Sequence, residues 1–268
     1  MVTINELRDH KKDDRLLYHY TNYSIAIENI LNENTILFNR VNRTNDPLEF
    51  ENFIHIASWS NEKEKSVMFD LLEIGKTCND IVKNKFKICC FCIDKDIEDF
   101  NDYTSYTNKG YCRSRMWSQY GNGHKGVCLI FNKDRLLEII KNNFKNVFAG
   151  EVHYKNNLSY LLDVTDIDYD IDRKMKPFER VIKYINEYLF HKFADYKSEQ
   201  EFRIALHSDD NNDSILIDFE NSLEGIILGV RFPEVYKDNI VNDMSTRKLL
   251  VFQLSFINGE YYIDEIAK

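Results

Sequence analysis

Short apolar runs, each about the length of one strand, recur through this chain, and no longer apolar run occurs. "LLYHYT" (Leu16 to Thr21), "FKICCFCI" (Phe86 to Ile93), "KGVCLIF" (Lys125 to Phe131), "EFRIALH" (Glu201 to His207) and "LEGIILGV" (Leu223 to Val230) are of this kind. "TILFNR" (Thr35 to Arg40) and "VFAGEVHY" (Val147 to Tyr154) read as further strands. Between them, helical spacing marks Asn22 to Leu31, the stretch "KDRLLEIIKNNF" from Lys133, a long pattern from Phe178 to Tyr196, and Pro233 to about Met244. "NDPLEF" carries a full set of helix-start signals, with Asp46 as cap, Pro47 at the first turn and Glu49 three residues after the cap. The chain ends in a hairpin pattern that turns at Asn258-Gly259. Strands and helices mix without strict alternation, so the expected class is α+β, a single mixed, largely antiparallel sheet with flanking helices.

Composition narrows the possibilities. With three prolines, nine glycines, no linker-like stretch and no repeat, the 268 residues read as a single domain, 1-268. No apolar run approaches the roughly eighteen residues of a membrane helix, so no membrane partner is expected. The start, "MVTINELRDHKKDDR", lacks the apolar core of a secretory signal. Six irregularly spaced cysteines then read as reduced thiols of a cytoplasmic protein. A net charge of -9 argues against sequence-independent binding to a phosphate backbone, while leaving room for a small basic site for a nucleotide. Nothing in the pattern sets an oligomeric state.

Some tempting constellations fail on spacing. "DIDYDID", Asp166 to Asp172, has alternating acids, but a calcium loop from Asp166 needs Gly at 171 and Glu at 177, where Ile171 and Pro177 stand. A solvated acidic connector is the better account. Cys89, Cys90 and Cys92 lie in a strand-like run, where alternation sends Cys89 to one face and the other two to the opposite one. That is not the spacing of a zinc knuckle. No histidine is placed beside a cysteine, and neither a Walker loop nor a Rossmann glycine pattern occurs. No metal is expected.

Three blocks remain, each with polar or aromatic groups at the edge of an apolar strand. They are "LYHYT" (Leu17 to Thr21), "CCFCI" followed by "MWSQYGNGHKGVCLIF", and "SEQEFR" (Ser198 to Arg203). In the first, alternation puts Leu17, His19 and Thr21 on one face and Tyr18 and Tyr20 on the other, so the tyrosines are assigned to packing. In the last, Glu199 and Glu201 share a face roughly 7 Å apart if the strand starts that early. Two such carboxyls repel unless a site uses them, one as base and one ionised. Alternatively, Glu201 pairs with Arg203 on a half-exposed strand. Trp117 and Tyr120, three apart on a short helix, suit a core as well as a ligand platform. Lys109, Arg113 and Arg115 sit on the polar stretch "NDYTSYTNKGYCRSR", which is long enough to be a binding loop.

The order "LYHYT … NDPLEF … CFC … MWSQY … GVCLIF … EQEFR … IILG" resembles a large, mostly bacterial family catalogued as domain of unknown function 2971. The resemblance runs from about Leu16 to Gly229. Cys92 stands where that family usually shows serine, and Phe202 where tryptophan is common. The family in turn looks like a remote relative of the ADP-ribosyltransferase fold, which implies a split sheet and NAD as substrate. By that resemblance His19, with Thr21 beside it, would hold ribose hydroxyls, and Phe91 and Cys92 would line the nicotinamide pocket. Tyr120 or Trp117 would stack on the nicotinamide ring. Glu201 would be the catalytic carboxylate, and Glu199 the acid that activates an acceptor. Arg113, Arg115 and Lys109 are placed by charge alone as candidates for the pyrophosphate.

The chemistry is coherent. Cleaving the nicotinamide–ribose bond creates an oxocarbenium-like centre, which a fixed carboxylate stabilises as the charge develops. The expected function is therefore an ADP-ribosyltransferase or NAD glycohydrolase, passing ADP-ribose to a protein or nucleic-acid acceptor or to water. The competing expectation is a non-catalytic nucleotide-binding sensor in bacterial stress or phage defence. A third is a scaffold whose motifs only pack.

Overall fold

The computed structural model describes residues 1–43, 62–96, 108–156 and 175–266, with the side chains of 62–72 excepted. The "NDPLEF" helix start and the acidic connector at Asp166 to Asp172 lie outside the described residues.

The run "FKICCFC" forms β3, Phe86–Cys92, and the sheet is organised around it. Along its full length β3 pairs antiparallel with β8, Glu201–His207, from Phe86↔His207 to Cys92↔Glu201. A strand has two edges, so the second edge must serve every other neighbour. There β1, Leu16–Thr21, joins at Tyr18↔Cys92. On the same edge β2, Thr35–Arg40, joins at Asn39↔Ile88 and Arg40↔Lys87. The two strands therefore fork apart over Cys89 to Phe91.

The sheet extends from both prongs. β4, Val127–Asn132, runs antiparallel along all of β1, and β10, Leu223–Leu228, is antiparallel to β4. β11, Leu250–Ile257, is parallel to β10, and β12, Glu260–Glu265, closes that side. The predicted Asn258-Gly259 turn joins the last two, with φ of 52° and 87° as a two-residue hairpin needs. On the other side β9, Ser214–Asp218, pairs with β2, and β5, Val147–Glu151, pairs with β8. The fold is thus α+β with a large, mostly antiparallel sheet.

Pleating decides the two faces. Leu17, Leu129 and Ile226 point to one side, where Leu136 and Ile140 of α5, Lys133–Asn143, pack on them. Tyr18, Tyr20, Ile130 and Ile227 point to the other, against Trp117 of α4, Ser114–Gln119. The tyrosines pack there as expected, and both also border the cleft that the fork opens. No helix among the described residues is long and apolar enough to cross a membrane.

Some expectations need correction. The pattern from Phe178 to Tyr196 is not one helix. It forms α6, Pro177–Lys183, then α7, Ile185–Leu189, then a short strand β7, His191–Phe193. The helical spacing of Val181, Ile185, Tyr188 and Leu189 is real and fills a core. It ends at Leu189 because tertiary partners claim the next carbonyls: Arg203 Nη1 donates to Leu189 O, and His153 N to Phe190 O. "VFAGEVHY" likewise divides at Val152, whose N–H turns to Glu201 O. Beyond it β6, His153–Lys155, pairs in parallel with β7. β9 was not anticipated; "SILID" is short and flanked by turn residues.

The described part of the polar stretch is pinned down. Asp94, just past β3, accepts from Lys109 Nζ at 2.8 Å, Gly110 N at 2.7 Å and Asp13 N at 3.0 Å. Both members of the ion pair are fully buried. Lys109 is thus committed to Asp94, which ties two chain segments to the end of β3. Breaking a buried pair strands a charge, so Asp94→Asn is expected to cost about 3–5 kcal/mol in urea denaturation. A loss below about 1 kcal/mol, the scale of an exposed pair, contradicts this role.

Candidate functional site

The fork opens a cleft of about 270 Å³. Its floor is the middle of β3, Ile88 to Cys92. β1 contributes His19, β2 contributes Leu37 and Asn39, and α4 contributes Met116 and Tyr120. Glu201 and Arg203 of β8, with Glu199 and Lys192, form the remaining wall. Register places Cys92 opposite Glu201 and Tyr18, so the Glu201 side chain leaves the face that Tyr18 occupies. His19 belongs to the opposite face of the pleat. It still borders the same cleft, because the fork removes the strand that would otherwise separate them.

His19 sits where β1 departs. Its Nδ1 is 3.0 Å from Cys90 O, a carbonyl on the forked part of β3. A carbonyl only accepts, so Nδ1 carries the proton and Nε2 is left with a lone pair. Burial lowers the pKa of the ring, with the Cys90 contact opposing, so the neutral form dominates near pH 7. The ring packs on Phe91 at 5.6 Å between centroids.

The carboxylates meet by a different route from the one their spacing implies. Glu199 is not on the strand. It ends a 3-10 turn, Ala194–Glu199, and Gln200 adopts a left-handed conformation (φ 47°) before β8 begins. What joins the two acids is Lys192, which the sequence reading missed. Its Nζ lies 2.8 Å from Glu199 Oε2 and 3.3 Å from Glu201 Oε2. The only signal for it is a lone lysine within the aromatic stretch Tyr188 to Phe193. Arg203 Nε donates to Glu201 Oε1 at 2.7 Å, so the alternative Arg203 pairing is also present, on a buried rather than a half-exposed strand.

These contacts push the two acids apart. Burial raises the Glu199 pKa, and Lys192 only partly offsets it. Burial also works against ionised Glu201, yet Arg203 and Lys192 outweigh it and hold that carboxyl well below the usual range. One acid is therefore locked as a carboxylate and the other is poised to exchange a proton.

Phe91, Cys92 and Tyr120 also line the cleft. Burial raises the Cys92 thiol, so it is a packing group rather than a nucleophile. Thr21, Trp117, Arg113 and Arg115 do not reach the cleft. Thr21 is buried opposite Val127. Trp117 is fully buried, donates to Tyr111 O at 2.8 Å and meets the Tyr20 ring edge-on. Arg113 is buried and directed at Ile93 O and Asn108 O. Arg115 donates to Asp195 O and lies over the Tyr196 ring. Besides Arg203, Arg43 borders the cleft. It shares the Asp213 carboxylate with Arg40. Among the described residues, no group of three His, Cys, Asp or Glu is arranged to hold a metal ion.

The depressed Glu201 pKa makes a pH-dependent prediction. Its ionisation stabilises the fold above the unfolded value near 4.5, and that stability is lost as pH falls through the lower folded value. Glu201→Gln should cost about 3 kcal/mol at pH 7, the scale of a broken buried pair. The gap from wild type in urea midpoints should then shrink only below pH 4.5. A gap that already closes between pH 7 and 5 contradicts the assignment.

No curated protein and no solved structure matches the chain. Residues 116–204, which supply Tyr120, Lys192, Glu199 and Glu201 to the cleft, match the model of the family described as "Protein of unknown function (DUF2971)".

Proposed function

We propose that the chain is an NAD-consuming enzyme of ADP-ribosyltransferase type. It cleaves the nicotinamide–ribose bond and passes ADP-ribose to a macromolecular acceptor or to water. The observation that carries this reading is one cleft shared by two carboxyls whose pKa values are pushed in opposite directions, a histidine whose pKa burial lowers, and a tyrosine.

Each group has a task in that reaction. His19 Nε2 accepts from a ribose hydroxyl. Tyr120 offers an aromatic face to the cationic nicotinamide ring. Glu201 faces the positive charge that grows on the ribose as nicotinamide leaves. Glu199 takes the proton of the incoming hydroxyl or water. Arg43, which borders the cleft, offers a forked donor to an anionic group such as a pyrophosphate. The fork in the sheet supports the resemblance to the ADP-ribosyltransferase fold.

A second reading is favoured by the ion pairs themselves. Both oxygens of Glu201 already accept from cations. That suits a module that binds a nucleotide and leaves it intact.

Nicotinamide release from NAD separates the two. Wild type is expected to turn over, and Glu201→Gln to lose at least about 100-fold in kcat, the scale of one electrostatic stabiliser. Undiminished turnover by the variant rejects the role of Glu201. Thermal stabilisation by ADP-ribose without any release of nicotinamide selects the binding module.

A further inference from the structure

We propose that Lys192 is a positioning residue that gives the two carboxylates of the cleft different tasks. The inference deepens the reading above and rests on it for the chemistry, though not for the charge arrangement.

One ammonium holds one oxygen of each acid, at 2.8 Å for Glu199 and 3.3 Å for Glu201. The second oxygens differ. Glu201 Oε1 is taken by Arg203 Nε. Glu199 Oε1 is buried and has no hydrogen-bond partner among the described residues. A bare buried carboxylate oxygen needs an explanation, and beside a cleft the simplest is a partner that arrives with the ligand. An acceptor hydroxyl is such a partner.

The local fold is built around this lysine. Lys192 is 6 % exposed and sits on β7, the strand that interrupts the helical pattern. β7 is held by β6, whose Tyr154 hydroxyl accepts from Glu201 N at 2.9 Å. The Tyr196 ring lies 4.5 Å from Nζ and adds a cation–π contact. The groups that face the pair are Arg203 on β8, Tyr154 on β6, Cys90 and Cys92 on β3, and Arg115 and Tyr120 on α4. Lys192 bonds to both acids.

The proton balance follows. As the acceptor oxygen bonds to the anomeric carbon of the ribose, its proton passes to Glu199 Oε1, and nicotinamide leaves neutral with the bonding electron pair. Glu199 becomes uncharged. Lys192 and Arg203 then share the Glu201 carboxylate, and the cluster carries one net positive charge until Glu199 gives the proton up.

The test is a carbon-detected NMR titration of the full chain, with Glu199 and Glu201 assigned from their Gln variants. In wild type Glu199 should titrate above Glu201. In Lys192→Met the Glu199 midpoint should rise by about one pH unit or more, and Lys192→Arg should restore it. The acid limb of kcat/KM for NAD should move with it. An unchanged Glu199 midpoint in Lys192→Met overturns the proposal. If Lys192→Met does not fold, the charge-matched Lys192→Met/Glu199→Gln variant replaces it, and the Glu201 midpoint is compared with that of Glu199→Gln alone. No change there also overturns it. A shifted midpoint without NAD turnover in wild type upholds the role of Lys192 and rejects the NAD reading. Turnover without a shift does the reverse.

Discussion

A β-strand has two edges, and β3 divides one of them between two partners. That constraint shapes the whole candidate site. Because β8 occupies the other edge from end to end, β1 and β2 must share what is left, and the strand between their contacts is left open. A partly buried carbonyl in such a gap is best satisfied by a donor. His19 supplies it to Cys90 O, and in doing so fixes its own tautomer. The histidine is thus set by the same requirement that makes the gap habitable. Its usable lone pair is a consequence of backbone accounting.

The second organising element is electrostatic. Two acids and two bases are buried side by side, each less than a tenth exposed. Burying charge is costly unless every member is paired, and replacing such clusters by apolar groups often stabilises a protein. Among the described residues the pairing is incomplete at one atom, Glu199 Oε1. A cluster kept solely for stability would not leave a buried acid half satisfied. Local frustration of this kind is expected where a ligand completes the network.

The sequence made the frame readable and left its details hidden. The strands Leu16–Thr21, Phe86–Cys92 and Glu201–His207 and the Asn258-Gly259 hairpin depend on local pattern, and local pattern is visible. So was the division of the β1 side chains between two faces. The role of Lys192 was not visible, because it depends on β7 replacing a helix whose apolar spacing is real up to Leu189. The competing force is tertiary: Arg203 caps Leu189 O, and His153 claims Phe190 O. For the same reason the spacing of Glu199 and Glu201 misled about how they meet. Gln200 turns left-handed between them, so their proximity comes from a shared cation. Arg113 and Arg115 show the converse. Their charge was legible, but the backbone carbonyls that claim them were not.

The start of β8 is where fold and chemistry become inseparable. Glu201 donates its N–H to the Tyr154 hydroxyl, its carbonyl accepts from Val152 N, and its carboxylate binds Arg203 and Lys192. The backbone contacts define where the strand begins, and the side-chain contacts define what it carries. Any substitution at Glu201 therefore changes stability, and a loss of the proposed turnover there does not by itself identify a catalytic group. Glu199 differs: it lies outside the strand, and its pKa is raised by burial, so its ionised form opposes folding at neutral pH. A residue that weakens the fold in its charged state, yet is kept beside a cleft with one oxygen bare, is better explained by what the cleft binds than by how the sheet packs.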